Sequence, residues 1–382
     1  MQADTTWDRF AGWERWPARI LLALVAILVA FSAVVPISAS RGHPHATPPT
    51  VAAALKKHPN ERPRDADLAL YDRVIERVAN GDNYYRVVAE EHRAQRYPLR
   101  PAMAVRLPTL AFAEAAVGVP GEIVAAILLL ALTLIAWWRR LAEEPGAARY
   151  RLVAMALLLT NASLGLNRTF FVMHELWAGM LLALAFGLHR PRSATRPGRY
   201  LGALIAAALA LAIREHSLPF VLLMAAMAAW RRDWREAAAW SALVVIFALA
   251  LSWHLQQVTA VTLPTDVRSA PWIALRGLSG FLSNTVLSGS LRFLPHWIAG
   301  PVVILTMLGW AGWRSPAGAL GTLFYGGYGT AFMIAGRPEN YYWGVMIVPA
   351  LLIGLAFAPR ALVSLVRAAR RDGPQSAISS IG

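Results

Sequence analysis

The chain contains no cysteine, which excludes disulfides, thiolate-bound metals and a cysteine nucleophile. Charge is also scarce. Only 15% of the 382 residues are Asp, Glu, Lys or Arg, where a soluble chain carries roughly a quarter. This length suits two or three soluble domains, but so few charged side chains cannot coat them. Acidic residues are the rarer sign, 22 against 37 basic ones, so the net charge is +15. In place of charge the chain has 57% hydrophobic residues and a mean hydropathy of +0.44. The expected class is all-α: a polytopic transmembrane helical bundle, forming one integral membrane unit over residues 1–382.

A hydrocarbon core takes roughly 17–25 helical residues to cross. The first apolar run, Ile20 to Ile37, is long for a signal h-region and is preceded by Asp4, Asp8 and Glu14. It reads as an uncleaved signal-anchor helix rather than a cleaved leader. Further apolar spans centre near residues 130, 159, 180, 207, 223, 247, 305, 325 and 350, giving about ten helices. Leu107–Val117 is too short to cross and is expected to lie at the interface or re-enter. The polar remainder gives a first extracytoplasmic loop at 40–106, a second at 259–296 and a basic tail at 360–382.

Basic residues orient this threading. With the N-terminus inside, 19 arginines fall in short cytoplasmic segments and six in the short loops opposite. The other 12 basic residues lie in the long first loop, which translocates largely regardless of charge. Both termini are therefore expected in the cytoplasm, with the protein in a bacterial inner (plasma) membrane. The arginine excess serves orientation and contact with lipid, so nucleic acid is not an expected partner. Trp137, Trp138, Trp230, Trp234 and Trp343 fall at expected membrane interfaces.

The inner loops have no Gly-rich phosphate cradle and no carboxylate cluster. The outer connections are denser in chemistry: Arg168 followed by His174 and Glu175, then Arg214-Glu215-His216, then Arg337 through Asn340, Tyr341, Tyr342 and Trp343. Ionisable groups at the membrane boundary usually face a protein-lined cavity, and three turns pairing arginine with glutamate suggest a shared one. Snorkelling to headgroups is the alternative for each arginine alone. In the first loop, Leu70, Tyr71, Val74, Ile75 and Val78 are spaced for one helix face. Asn80-Gly81 ends that helix, and Asp82-Asn83 opens another carrying Tyr84, Tyr85, Val87, Val88, Glu91 and His92. Two such amphipathic helices suit a membrane surface. Asp65 and Asp67 precede them, and either also suits a helix N-cap.

These strings resemble the GT-C glycosyltransferases, polytopic enzymes that use polyprenyl-phosphate-linked sugars and include the protein O-mannosyltransferases and aminoarabinose transferases. D-L-A-L-Y (Asp67 to Tyr71), G-D-N-Y-Y (Gly81 to Tyr85) and Tyr97-Pro98 are similar to that family's first-loop pattern. The paired acidic motif that often follows the first helix is replaced here by Arg41-Gly-His43-Pro-His45. The resemblance implies a sugar moved from a polyprenyl-phosphate donor to an extracytoplasmic acceptor. It implies Asp67, with Asp65 beside it, as the candidate base, and Arg214, Arg337 and Arg168 as candidate phosphate ligands. One-base displacement would invert the anomeric centre. Glu91, His92, Tyr84, Tyr85, His174, Glu175, Glu215, His216, Asn340, Tyr341 and Tyr342 are candidate acceptor or sugar contacts, with packing an equally good role for the tyrosines.

No metal is required for this reaction. His43 and His45 with Asp65 or Asp67 give only a low-specificity signal for a divalent cation. The YGGYG run from Tyr325 to Gly329 fits close helix packing or a kink better than an ion filter. The rival function is a transporter or flippase of a lipid-linked or anionic substrate, whose usual marks are broken helices and ionisable groups near mid-membrane.

Overall fold

The computed structural model describes residues 7–39, 65–193, 195 and 197–371. Among them there is no β-strand, only isolated bridges between single residues. After a 3₁₀ turn at Arg9–Gly12 come α1 (Arg15–Val34), α2 (Ala66–Ala79) and α3 (Tyr84–Ala94). Then follow α4 (Thr109–Glu143), α5 (Arg151–Ala162), α6 (His174–Leu188), α7 (Leu201–Ile213), α8 (Leu218–Trp230) and α9 (Trp234–Val261). The chain closes with α10 (Gly277–Leu287), α11 (His296–Gly312), α12 (Pro316–Ile334), the single turn α13 (Val348–Leu351) and α14 (Ala358–Arg370).

Every apolar span expected from the sequence falls on a helix. Among the described residues four stretches are long and apolar enough to cross a membrane: Arg15–Val34, Ala102–Glu143, Trp234–Val261 and Val348–Arg370. The first three turn apolar side chains outward, among them Ile27, Phe31, Val124, Leu128, Ile246 and Leu249. Inside, α6 is buried almost all round. Trp137, Phe186, Trp310, Phe324 and Tyr325 form a contiguous aromatic core between α4, α6, α11 and α12. Indole N–H groups there are satisfied by carbonyls, Trp137 by Ala183 at 2.9 Å and Trp310 by Leu351 at 2.8 Å. Trp137 and Trp343 are therefore core residues, not members of an interfacial belt, whereas Trp138, Trp230 and Trp234 are exposed.

The arginine-rich turns gather at one end of the bundle. There Arg140, fully buried, pairs with Glu144 at 3.2 Å and donates to the carbonyls of Phe186 and His189. His189 in turn meets Glu236 at 2.8 Å. The described chain ends are tied in at this end too, Ser364 donating to Asp8 at 2.6 Å and Arg371 to the carbonyl of Ala11 at 2.7 Å. Helix α14 buries Ala361, Leu365 and Ala368 against α1 and α11, so residues 360–370 of the expected basic tail form a packed helix.

The opposite end carries the polar segments. Asp65 caps α2 by accepting from Asp67 N at 3.0 Å, and Asn83 caps α3. These two helices form their own small core from Leu70, Val74, Tyr84, Val87 and Val88, closed by Val105, Ala111 and Val258. The segment expected to stop short of crossing continues into α4, but the backbone breaks at Gly118 (φ 60°, ψ 177°), so Thr109–Val117 is a separate arm. The region expected as a second extracytoplasmic loop, 259–296, contains a buried helix: α10 packs against α12 and the segment Pro338–Met346. Within the YGGYG run, Gly329 meets the Phe281 ring, whereas a side chain at Gly327 would meet open space. Close packing therefore explains one of its glycines only.

Candidate functional site

Five pieces of chain converge at the polar end: α2, the stretch 105–108 before α4, the start of α6, the α7–α8 turn, and the segment Pro338–Met346. At the centre is Arg214, whose Nε lies 2.9 Å from Glu175 and whose Nη1 lies 3.0 Å from Glu215. Glu215 also takes His216 Nδ1 at 3.0 Å, and the His216 ring packs on Trp343 with centroids 4.6 Å apart. Arg214 and Glu175 are buried. A charge in such a place needs partners, and here one guanidinium is shared by two carboxylates. Helix α6 starts at His174-Glu175, so Glu175 also faces the positive end of that helix.

Above this group lies Arg106. Its guanidinium stacks on the Tyr71 ring at 4.2 Å, a favourable cation–π contact, and it is within electrostatic reach of Glu175, Tyr342 and Asp67. No carboxylate lies within ion-pair distance of Arg106 among the described residues, and its Nη1 is buried with no hydrogen-bond partner. The backbone beneath it is held at three successive carbonyls. His254 Nε2 donates to Val105 O at 3.3 Å, Tyr84 Oη to Arg106 O at 2.7 Å, and His174 Nε2 to Leu107 O at 3.1 Å. These bonds fix the tautomers of both histidines, because a carbonyl only accepts. Tyr85 completes the frame by donating to His254 Nδ1 at 3.2 Å.

Asp67 sits in the first turn of α2, one turn before Tyr71, and is exposed. Tyr97 donates its phenol to Asp67. Burial raises the Tyr97 pKa and the neighbouring Asp67 carboxylate adds to this, so the phenol keeps the proton with which it orients the carboxylate. His92 packs beside Tyr97 and donates Nδ1 to Pro98 O at 3.0 Å, leaving Nε2 buried without a hydrogen-bond partner among the described residues. Burial pushes the imidazole pKa down from 6.5 to about 4, helped by Arg106 and opposed by the bond to Pro98.

The structure thus brings together Asp67, His92, His174, Glu175, Arg214, Glu215, His216 and Tyr342. Others from the sequence reading stand apart. Asp65 is a helix cap. Glu91 is engaged by Arg73 at 2.9 Å and Arg77 at 3.4 Å. Tyr84 and Tyr85 are buried supports for residues 105–106, with no face open for a sugar. Arg337 pairs with Glu339 at 2.6 Å and donates to Ala270 O at 3.0 Å, while Asn340 caps the Arg337 backbone N–H. Both are spent on holding loops together. Arg168 is exposed on its own turn, and Tyr341 is half-buried, its carbonyl accepting from Ser288. The histidines at 43 and 45 lie outside the described residues. Among the described residues no group of three or more His, Asp or Glu is placed to hold a metal ion. Arg106 is the residue that the sequence reading missed. Its signal was a single arginine between Val105 and Leu107, directly before the apolar arm.

No protein-family profile matches the chain, and no curated protein or solved structure matches it either. The fold itself defines the class: among the described residues the protein is all-helical, with four helical stretches long and apolar enough to cross a membrane.

Proposed function

We propose that this is an integral membrane glycosyltransferase of the GT-C type, moving a sugar from a polyprenyl-phosphate donor to an acceptor hydroxyl on the extracytoplasmic face of a bacterial inner membrane, with both termini cytoplasmic. The observation that carries this reading is the convergence of an exposed, tyrosine-oriented carboxylate, Asp67, with a half-buried guanidinium that has no ion-pair partner among the described residues, Arg106, over the Glu175–Arg214–Glu215 network. A second feature supports it. At 1.5 Å per residue, α7 and α8 are each about 20 Å long, short of a hydrocarbon core of roughly 30 Å. A membrane in which their basic ends lie at one surface therefore leaves their shared turn recessed below the other, at the depth where a lipid phosphate enters from the side.

In this mechanism Asp67 takes the proton of the acceptor hydroxyl while its oxygen attacks the anomeric carbon. The bond from that carbon to the phosphate oxygen breaks, and the polyprenyl phosphate leaves with the charge. Arg106 receives that charge in the role first expected of Arg214, Arg337 and Arg168. Arg214, already held by two carboxylates, fixes the floor of the site. No step needs a metal.

The test is transfer of label from polyprenyl-phosphate hexoses and pentoses in proteoliposomes, with isolated cell envelope as acceptor. Asp67→Asn and Arg106→Ala should each lower the rate by about 100-fold or more, with unchanged elution on size exclusion. Full activity in both variants would sink the proposed site. Lumenal accumulation of label with no covalent product would instead identify a transporter.

A further inference from the structure

A cavity of about 530 Å³ lies at the other end of the bundle, between the end of α4, the end of α6 and the start of α7. Its walls are apolar on the side toward the helices, with Ala136, Leu188 and Leu201, and basic at the rim, with Arg139, Arg190 and Arg199 around a single carboxylate, Glu143. The α6–α7 turn fixes two of the arginines side by side. Arg190 N donates to Arg199 O at 2.9 Å and Arg199 N to Arg190 O at 2.8 Å. Like charges directly opposite on such a pair are unfavourable unless an anion lies between them. Glu143 serves both, at 2.7 Å from Arg190 and 3.2 Å from Arg199.

One carboxylate is outnumbered by three guanidinium groups. Arg190 is further occupied by the carbonyls of Gly187 and His189. Arg199 remains 68% exposed, and Arg139, also exposed, has no ion-pair or hydrogen-bond partner among the described residues. Beyond the rim, α4 and α7 both carry exposed apolar side chains, Leu132 and Ile135 on one and Leu201, Ile205 and Leu209 on the other. The cavity therefore offers one unpaired guanidinium, Arg139, and one exposed guanidinium that shares its carboxylate, Arg199, above apolar walls.

We infer that this cavity binds an anionic phospholipid, its phosphodiester between Arg139 and Arg199 and its acyl chains along the exposed apolar side chains of α4 and α7. Guanidinium groups suit phosphate oxygens, and basic pockets between helices on the cytoplasmic side are where such headgroups bind. A zwitterionic headgroup would bring a quaternary ammonium or amine into a rim already in cationic excess. The inference rests on the membrane reading given above, but not on the sugar-transfer chemistry at the other end.

The test uses the full-length protein in neutral detergent, with native mass spectrometry and titration of dioleoylphosphatidylglycerol, dioleoylphosphatidylcholine and inorganic phosphate. Phosphatidylglycerol should be retained at one site and bind at least ten-fold more tightly than phosphatidylcholine. The Arg139→Gln/Arg199→Gln double variant should lose that preference. Arg235→Gln/Arg314→Gln, which removes the same charge elsewhere at this end, should keep it. Equal binding of the two lipids, an unchanged double variant, or displacement of phosphatidylglycerol by millimolar phosphate would each overturn the proposal. Alkaline carbonate extraction separates the two readings. Protein released from membranes by carbonate removes the membrane reading itself, whereas protein retained without arginine-dependent lipid binding removes only this site.

Discussion

His92 is one residue at which the site becomes sensitive to acid. Its folded pKa of about 4 lies below the ordinary 6.5, so the unfolded chain binds a proton more readily between those values. Stability therefore rises with pH across that window and is lost as pH falls from 6.5 to 4, by on the order of 3 kcal/mol for a shift of this size. Asp82 and Asp266 are also depressed, by hydrogen bonds from Arg77 and Arg93 respectively, but their contributions are lost only below the ordinary carboxylate range. Hydrogen exchange of residues 84–106 at pH 7 and pH 4.5 should show protection falling in the wild type and much less in His92→Gln. Equal losses in both would show that another group titrates. The contrast between His92 and Arg106 shows what single residues reveal in a sequence. Asp67, Arg214 and His92 were visible because polar types recur at helix starts and turns between apolar spans. Arg106 was hidden because a loop of many basic residues gives no reason to single one out. What distinguishes it is the Tyr71 ring beside it and three carbonyl bonds under it, all made by residues distant in sequence.

At the scale of elements, apolar runs were legible because burial and length decide them, and each became a helix. Helix α10 was not, since GLSGFLSNTVL is too short to read as a span and carries Ser283, Asn284 and Thr285 in its buried face. Ser283 accepts from Ser38 N and Asn284 donates to Gly280 O, while Asn284 Oδ1 and Thr285 Oγ1 are buried with no hydrogen-bond partner among the described residues, an arrangement no periodicity announces. The segment Pro338–Met346, which carries Tyr342 and Trp343 into the site, is seated on α10 at Gly344. A Cβ there would lie 1.8 Å from the Asn284 carbonyl oxygen, so backbone must move. Gly344→Ala should cost about 1–3 kcal/mol, as overpacking typically does, and displace Tyr342 and Trp343 from the site. Gly327→Ala offers the opposite sign, because its Cβ would meet nothing within 4 Å and alanine favours a helix interior by roughly 1 kcal/mol. Thermal midpoints of the two variants should move in opposite directions from the wild type. A Gly344→Ala protein as stable as wild type would mean that the contact relaxes without cost.

For the whole molecule, the sorting of charge is the feature that sequence and fold share. The basic turns form one end through contacts such as Arg140 with the α6 carbonyls and Arg314 N with Trp7 O at 2.7 Å, and the carboxylate–arginine site forms the other. Which end faces the cytoplasm is a separate question, answered in our reading by the positive-inside bias. The absence of cysteine makes this directly measurable, because any introduced thiol is unique in the chain. Ala94→Cys and Ala270→Cys sit on exposed positions at the site end, and Ala142→Cys and Thr195→Cys at the basic end. A membrane-impermeant maleimide should label the first pair in spheroplasts with the inner membrane intact, and the second pair only after that membrane is permeabilised. The inverse pattern would place the Asp67–Arg106 site in the cytoplasm, where a polyprenyl-phosphate sugar presented on the outer leaflet could not reach it. Labelling of all four in sealed spheroplasts would mean that the apolar helices do not form a sealed barrier at all, and the lipid-donor mechanism would go with it.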